Sequence, residues 1–260
     1  MSSERPRLPL SHAVALGAMH GPAELVPVSS SAHVTLIPQL LGWPYASLPA
    51  DVRKAFEVAL HAGTLVGMLL LVPRPSARFA VLSAAPAAAT AFALEGPIEQ
   101  RLGGVRATAA GLVAGSALLV LADAVGGRGR PVRHEAEPST ADAVVLGAAQ
   151  AAALWPGVSR LGVTVAAARL RGFERGAAFT LGRQAGLPIV AGATALKAWR
   201  LARRGLDRDL RRPFAAGMAA ALASTLAAAP LRRTNPVGPV AAERLALAGA
   251  ALLRLRRSGR

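Results

Sequence analysis

No cysteine occurs in this sequence. Disulfides and thiolate metal sites are therefore excluded, and nothing follows about compartment. Aromatic residues make up only 4% and charged residues only 17% of the chain. A nucleic-acid surface would need an aromatic-rich or soluble basic face, and none is visible, so no nucleic-acid partner is expected. The short polar stretch Met1–Leu10 is followed by an apolar run that contains Pro22 and Glu24 and no small-x-small cleavage pattern. A cleaved signal peptide is not expected.

What remains is apolar. Of 260 residues, 53% are hydrophobic, and the mean hydropathy is +0.40. Several runs approach the ~20 residues that cross a bilayer. The expectation is an all-α, polytopic helical membrane protein, a single integral-membrane domain over residues 1–260. The formal charge of +16 comes from arginines clustered between apolar runs. That pattern suits anionic headgroups and positive-inside anchoring. The side carrying Arg5, Arg7, Arg101, Arg106, Arg200–Arg212 and the C-terminal arginines is richer, which puts both termini in the cytoplasm.

Residues 10–26 and 29–41 read as two half-length helices around Pro27, a re-entrant hairpin. Spans are expected over 55–72, 77–94 with a kink at Pro86, and 107–125, with a loop carrying Glu95, Glu99, Arg101 and Arg106 and a polar loop after Gly126-Gly127. Residues 141–155 and 158–170 repeat the broken helix around Trp155-Pro156-Gly157. Further spans are expected over 176–199, 214–229 and 239–255, with a basic loop from Arg200 to Arg212. The total is about six spans and two re-entrant hairpins. Trp43, Trp155 and Trp199 fall at segment ends, the usual interface position. Gly111 and Gly115 form a small-xxx-small pair suited to close helix packing.

A shift of about 130 residues superposes the two broken helices. Gly17-Ala18-Met19-His20 lands on Gly147-Ala148-Ala149-Gln150, and Val28-Ser29-Ser30 on Val158-Ser159-Arg160. Phe56 and His61-Ala62-Gly63 match Phe179 and Gln184-Ala185-Gly186. Chance likeness of two Ala/Gly-rich segments does not place polar residues at matching positions within apolar sequence. The spans between the hairpins are odd in number, so the second enters from the opposite face. The expected architecture is an inverted-topology repeat, about 10–125 and 141–255, with a site near the midplane.

Chemistry concentrates in the hairpins. Ser30 and His33 are i,i+3 neighbours on a helix. A hydroxyl beside an imidazole can become a nucleophile, or the imidazole can protonate a leaving group. Helix capping by Ser29, Ser30 or Ser31 explains the same residues equally well. A lone carboxylate, Glu24, in an apolar run needs a partner, a metal or a proton. Arg160 beside helix N-terminal N–H groups suits phosphate, with an ion pair to Glu24 as the alternative. His20 and His61 are ligands, proton carriers or packed polar contacts. Arg183 and Gln184 fall mid-span and face the interior.

Glu24-x-x-Pro27-Val-Ser-Ser-x-x-His33 resembles the first signature of the bacterial undecaprenyl-diphosphatase (bacitracin-resistance) family, and Trp155-Pro-Gly-Val-Ser-Arg-x-Gly-x-Thr164 resembles its second. Phe56-Glu-Val-x-x-x-x-Gly63 and Pro188-x-x-x-Gly-Ala193 are similar to its flanking helices. The resemblance covers nearly the whole chain. It implies a multi-pass phosphatase of the bacterial cell membrane that removes the terminal phosphate of undecaprenyl diphosphate, a polyprenyl diphosphate lipid, and so recycles the cell-wall lipid carrier. It further implies Ser30 as nucleophile, His33 as catalytic histidine, Arg160 as diphosphate ligand with Ser159, Thr164 and Ser29 beside it, and Glu24 as ligand of a divalent cation, Mg²⁺ or Ca²⁺. A homodimer is compatible with it. The pattern is departed from at four places: His20 replaces the first acid and would share the metal with Glu24, His61 replaces a glutamine, Leu161 a serine, and Leu181-Gly182-Arg183 a Phe-Ser-Phe stretch. One carboxylate fewer weakens a hard oxygen-ligated site, and Arg183 would add positive charge toward the substrate. The rival expectations are a polyprenyl-phosphate flippase, because inverted repeats are transporter architecture, and a catalytically altered paralogue.

Overall fold

A computed structural model describes residues 8–126, 128, 132–134, 138–234 and 236–258. Arg5, Arg7, Gly127 and Arg260, used above for orientation and boundaries, and part of the polar loop before Thr140 lie outside the described residues.

The described residues are helical, apart from one isolated bridge between Arg133 and Phe173. The first half contains α1 (Leu10–Leu25), α2 (Ser30–Leu41), α3 (Ala50–Leu71), α4 (Ala77–Leu102) and α5 (Val105–Val125). The second contains α6 (Thr140–Ala151), α7 (Arg160–Leu170), α8 (Arg175–Arg204), α9 (Arg208–Ala227) and α10 (Gly238–Ser258). Among the described residues, α3, the Ala77–Leu94 part of α4, and α5 are long and apolar enough to cross a membrane on their own. Leu70, Val81, Phe92 and Leu121 point outward from them and are exposed, as side chains facing lipid would be.

Two expected loops are much shorter than the sequence suggests. α4 continues through Pro97 to Leu102, and α8 continues to Arg204 with α9 starting at Arg208. Hydropathy falls at Leu94 and Trp199, but hydrogen bonding does not stop there. Gln, Arg and Leu are good helix formers, and outside the apolar layer their charges cost nothing. A loss of apolarity marks the edge of the membrane core, not the end of a helix.

The halves exchange partners. α1 packs along α9, and its counterpart α6 packs along α4. The contact is made the same way twice: a Cβ on Gly17 would strike the Gly217 carbonyl, and a Cβ on Gly147 would press on the Ser83 carbonyl. Glycine permits this backbone approach where no hydrophobic force drives helices together. α5 packs on α10, and α3 on α8. Two aromatic cores result, each built from both halves. Phe56 packs edge-on against Phe214 at 5.2 Å and Tyr45 at 5.7 Å, whereas Phe179 is buried with Phe79, Phe173 and Leu146. The two hairpin breaks, residues 26–29 and 155–159, are brought together between these cores.

Candidate active site

Pro22 does not break α1; the helix runs to Leu25, and the chain then turns through Val26-Pro27-Val28. Ser29 has φ 74, the only positive value at a non-glycine among the described residues. A side chain in that region costs roughly 1–3 kcal/mol and persists only where surroundings enforce it. Ser29 makes no side-chain cap to α2; its hydroxyl lies 3.4 Å from that of Ser31. In the second break, Gly157 has φ 94, and a Cβ there would strike the Thr108 carbonyl. Only glycine fits both demands. Trp155 anchors this break by donating Nε1–H to the Ala107 carbonyl at 2.8 Å. Ser159 then caps α7, accepting from the Gly162 N–H at 3.1 Å.

Glu24 is the meeting point. Ser30 donates its hydroxyl to Glu24 Oε1 at 2.5 Å, and Arg160, from the other half, donates to Oε2 at 2.8 Å. Nε2 of His61 lies 3.5 Å from Oε1, and Nε2 of His20 lies 4.0 Å from it. The carboxylate is 8% exposed, so its charge is compensated by neighbours rather than water. Glu24, Ser29, Ser30, His61, Ser159 and Arg160 all line one cavity of about 180 Å³. The ion pair weighed above as the alternative for Arg160 is thus formed, at the wall of a cavity that also presents hydroxyls.

Other candidate residues lie elsewhere. Thr164 is fully buried and donates back to the Arg160 carbonyl at 2.6 Å. Arg183 donates to the carbonyls of Leu25 at 3.1 Å and Arg232 at 2.8 Å, closing the end of α1. His33 is not among the cavity-lining residues. Its Nδ1 meets the Ser29 carbonyl at 2.8 Å and its Nε2 meets Glu243 at 2.7 Å. Ser30 therefore pairs with Glu24 rather than with its helical neighbour.

His20, Glu24 and His61 form the cluster able to hold a metal, with donor atoms all within 4.8 Å of one another. His61 Nδ1 is 2.8 Å from the Glu57 carbonyl. A carbonyl only accepts, so Nδ1 carries a proton, which turns Nε2 toward Glu24. His20 Nδ1 pairs with the Thr64 hydroxyl at 2.9 Å, and its Nε2 is buried with no hydrogen-bond partner among the described residues.

Two residues of this region escaped the sequence reading, Glu243 and Arg244. Arg244 is fully buried. It donates to the Pro27 carbonyl at 3.0 Å and the Gly157 carbonyl at 2.9 Å. One guanidinium thus bridges both hairpin breaks. Its place is made by glycines: a Cβ on Gly115 would collide with it, and one on Gly162 would come within 3.3 Å. An arginine inside an apolar run was the available signal.

The family described as bacitracin resistance protein BacA matches residues 13–234 of this chain. An undecaprenyl-diphosphatase of Geobacter sulfurreducens is 37% identical over 239 residues, covering 83% of this chain and 85% of the relative. One from Geobacter metallireducens is 36% identical over 230 residues, covering 80% and 82%. Undecaprenyl-diphosphatase 1 of Rhodospirillum rubrum is 34% identical over 270 residues, covering 93% of each.

Proposed function

The chain belongs to the bacitracin resistance protein BacA family, and on that premise we propose that it hydrolyses undecaprenyl diphosphate to undecaprenyl phosphate and inorganic phosphate. The observation that carries the mechanism is the convergence of Ser30 and Arg160, one from each half, on the two oxygens of Glu24. Arg160 binds the terminal phosphate by its guanidinium fork, taking phosphate oxygens in place of Glu24. The freed carboxylate accepts the Ser30 proton. Ser30 Oγ attacks the terminal phosphorus, and the bridging P–O bond breaks, releasing the polyprenyl monophosphate. Water then cleaves the Ser30 phosphoester, restoring the hydroxyl and releasing phosphate. Ser159 and Ser29, at the cavity wall, donate to the remaining phosphate oxygens. Thr164 and Arg183 support the site from outside the cavity.

The divalent cation belongs to the same proposal. The donors present are two imidazole nitrogens and one carboxylate oxygen. That set does not suit Mg²⁺ or Ca²⁺, which take oxygen ligands. It suits a borderline first-row cation such as Zn²⁺ or Fe²⁺, and the anchored Nδ1 atoms orient both rings for it. His20, Glu24 and His61 would hold such an ion, which would add positive charge near the phosphate. Arg160 provides a fixed positive charge without it.

The packing exchange of α1 with α9 and α6 with α4 supports an inverted-topology repeat, and the site then lies at the interface of the two halves. We place the protein in the bacterial cell membrane as a multi-pass protein acting on a polyprenyl diphosphate lipid. Purified protein in detergent is tested for phosphate release from undecaprenyl or farnesyl diphosphate, with and without divalent ions. No release under any of these conditions, or transport of a labelled polyprenyl phosphate without hydrolysis, overturns the proposal.

A further inference from the structure

We propose that Glu243 is a positioning residue for Ser30, acting through His33 and the strained turn at Ser29. The inference rests on Ser30 being the nucleophile. Its starting point is hydrogen-bond chemistry. His33 Nδ1 lies 2.8 Å from the Ser29 carbonyl. The carbonyl can only accept, so Nδ1 carries a proton. His33 Nε2 lies 2.7 Å from Glu243 Oε1. A bare nitrogen lone pair against a carboxylate oxygen is repulsive, so a proton lies between them. Imidazole and carboxyl together hold two protons, one toward Ser29 and one shared with Glu243.

That arrangement fixes which way the ring faces. The Ser29 carbonyl already accepts the first backbone bond of α2, from the His33 N–H at 3.2 Å. The His33 ring adds a second donor to the same oxygen. Ser29 is the residue at φ 74, and a strained conformation is held only by groups that bind it in place. The next residue is Ser30, whose hydroxyl must reach Glu24. The sequence of contacts is therefore Glu243 to the His33 ring, the ring to the Ser29 carbonyl, and that turn to the direction of Ser30.

Besides the charge of the adjacent Arg244, Glu243 engages His33. Its other oxygen, Oε2, is buried with no hydrogen-bond partner among the described residues, and His33 is the only group paired with it there. Its neighbour in the chain, Arg244, bridges the carbonyls of Pro27 and Gly157. The register of α10 is thereby locked to the same two breaks, which keeps Glu243 opposite His33.

Without the carboxylate the ring loses its anchor at Nε2 and is free to turn away from Ser29. Once turned away, it no longer donates to the Ser29 carbonyl, the turn is released, and neither tautomer is held. Glutamine behaves differently from alanine. Its amide N–H donates to Nε2, so the ring keeps Nδ1–H and the hold on Ser29 persists, now without charge.

The experiment compares Glu243→Ala and Glu243→Gln in the full-length protein. Turnover and KM are measured with farnesyl diphosphate, and ¹⁵N-histidine NMR spectra are assigned with a His33→Gln control. In Glu243→Ala, kcat falls roughly 10- to 100-fold with little change in KM, the cost of a nucleophile about 1 Å out of place. In Glu243→Gln, kcat recovers to within about threefold of the wild type, since geometry rather than charge is restored. The His33 signals show protonated Nδ1 in the wild type and the Gln variant, and mixed tautomers in the Ala variant. Wild-type turnover in Glu243→Ala overturns the proposal. So does a Gln variant as slow as the Ala variant, because the carboxylate charge would then be what matters. An unprotonated Nδ1 in the wild-type spectrum overturns it as well. Wild-type protein that releases no phosphate defeats the hydrolase assignment instead, and leaves the NMR comparison standing.

Discussion

Replacing Arg244 by lysine keeps the charge and removes the fork. In the native chain two N–H groups of one guanidinium reach two carbonyls, Pro27 at 3.0 Å and Gly157 at 2.9 Å, from opposite halves of the protein. An ammonium is a single point and serves one of them. The other carbonyl is left buried and unpaired, at a cost of about 1–3 kcal/mol. The missing bond is the one that couples the halves, so the loss falls on the geometry between Ser30 and Arg160. At about 1.4 kcal/mol per decade, kcat falls between about fivefold and about 150-fold. Arg244→Met removes both bonds, and its effect is larger than that of lysine, although it also relieves the burial of a charge. The assay is phosphate release from undecaprenyl diphosphate in detergent, run beside thermal unfolding of each variant. Wild-type turnover in Arg244→Lys refutes the coupling. Unchanged turnover with a lowered Tm means that the bridge only stabilises the fold.

Three more outcomes follow from the site. Ser30→Ala abolishes phosphate release, whereas Ser31→Ala, at the exposed rim of the same cavity and bonded to Ser29 rather than to Glu24, changes kcat by less than about threefold; equal mild losses at both would return the serines to a capping role. Arg160→Lys loses the fork to phosphate, and kcat/KM drops by roughly 100-fold, about 3 kcal/mol, with wild-type kinetics marking Arg160 as a purely structural partner of Glu24. Co²⁺ added to metal-free protein gives visible d–d absorption that disappears in His20→Ala and His61→Ala, while a spectrum independent of both histidines excludes the mixed nitrogen–oxygen site.

Much of this arrangement is legible in the sequence because proline and charge are expensive in apolar segments. Pro27 and Pro156 mark both breaks, and Glu24 and Arg160 stand out as ions in apolar surroundings. Their pairing is one of the alternatives that the likeness of the two broken helices suggests. The end of α8 is misread because hydropathy reports the membrane boundary, not the hydrogen-bond ladder. The direction of the His33 ring is not legible, because i,i+3 spacing with Ser30 gives proximity along one face, whereas the ring pairs with Glu243 of α10. Arg244 is hidden by distance. Its burial depends on the glycines at 115 and 162, far away in the chain, and no local pattern around it shows that space.

The pairing of α1 with α9 has a consequence for how the protein is made. α1 ends at Leu25 and α9 begins at Arg208. A ribosome that feeds the chain in from its N-terminus delivers α1 well before its main packing partner exists. Until then Glu24 has no Arg160, and the Gly17 face of α1 has no helix to close on. The first hairpin must wait, either at the headgroup layer or shielded by an insertion factor, with a carboxylate that hydrocarbon does not tolerate. Neither half can complete its core alone, because each lends its fourth helix to the other's first. Two co-expressed fragments cut between α5 and α6 would then be expected to reassemble, and either fragment by itself to be degraded.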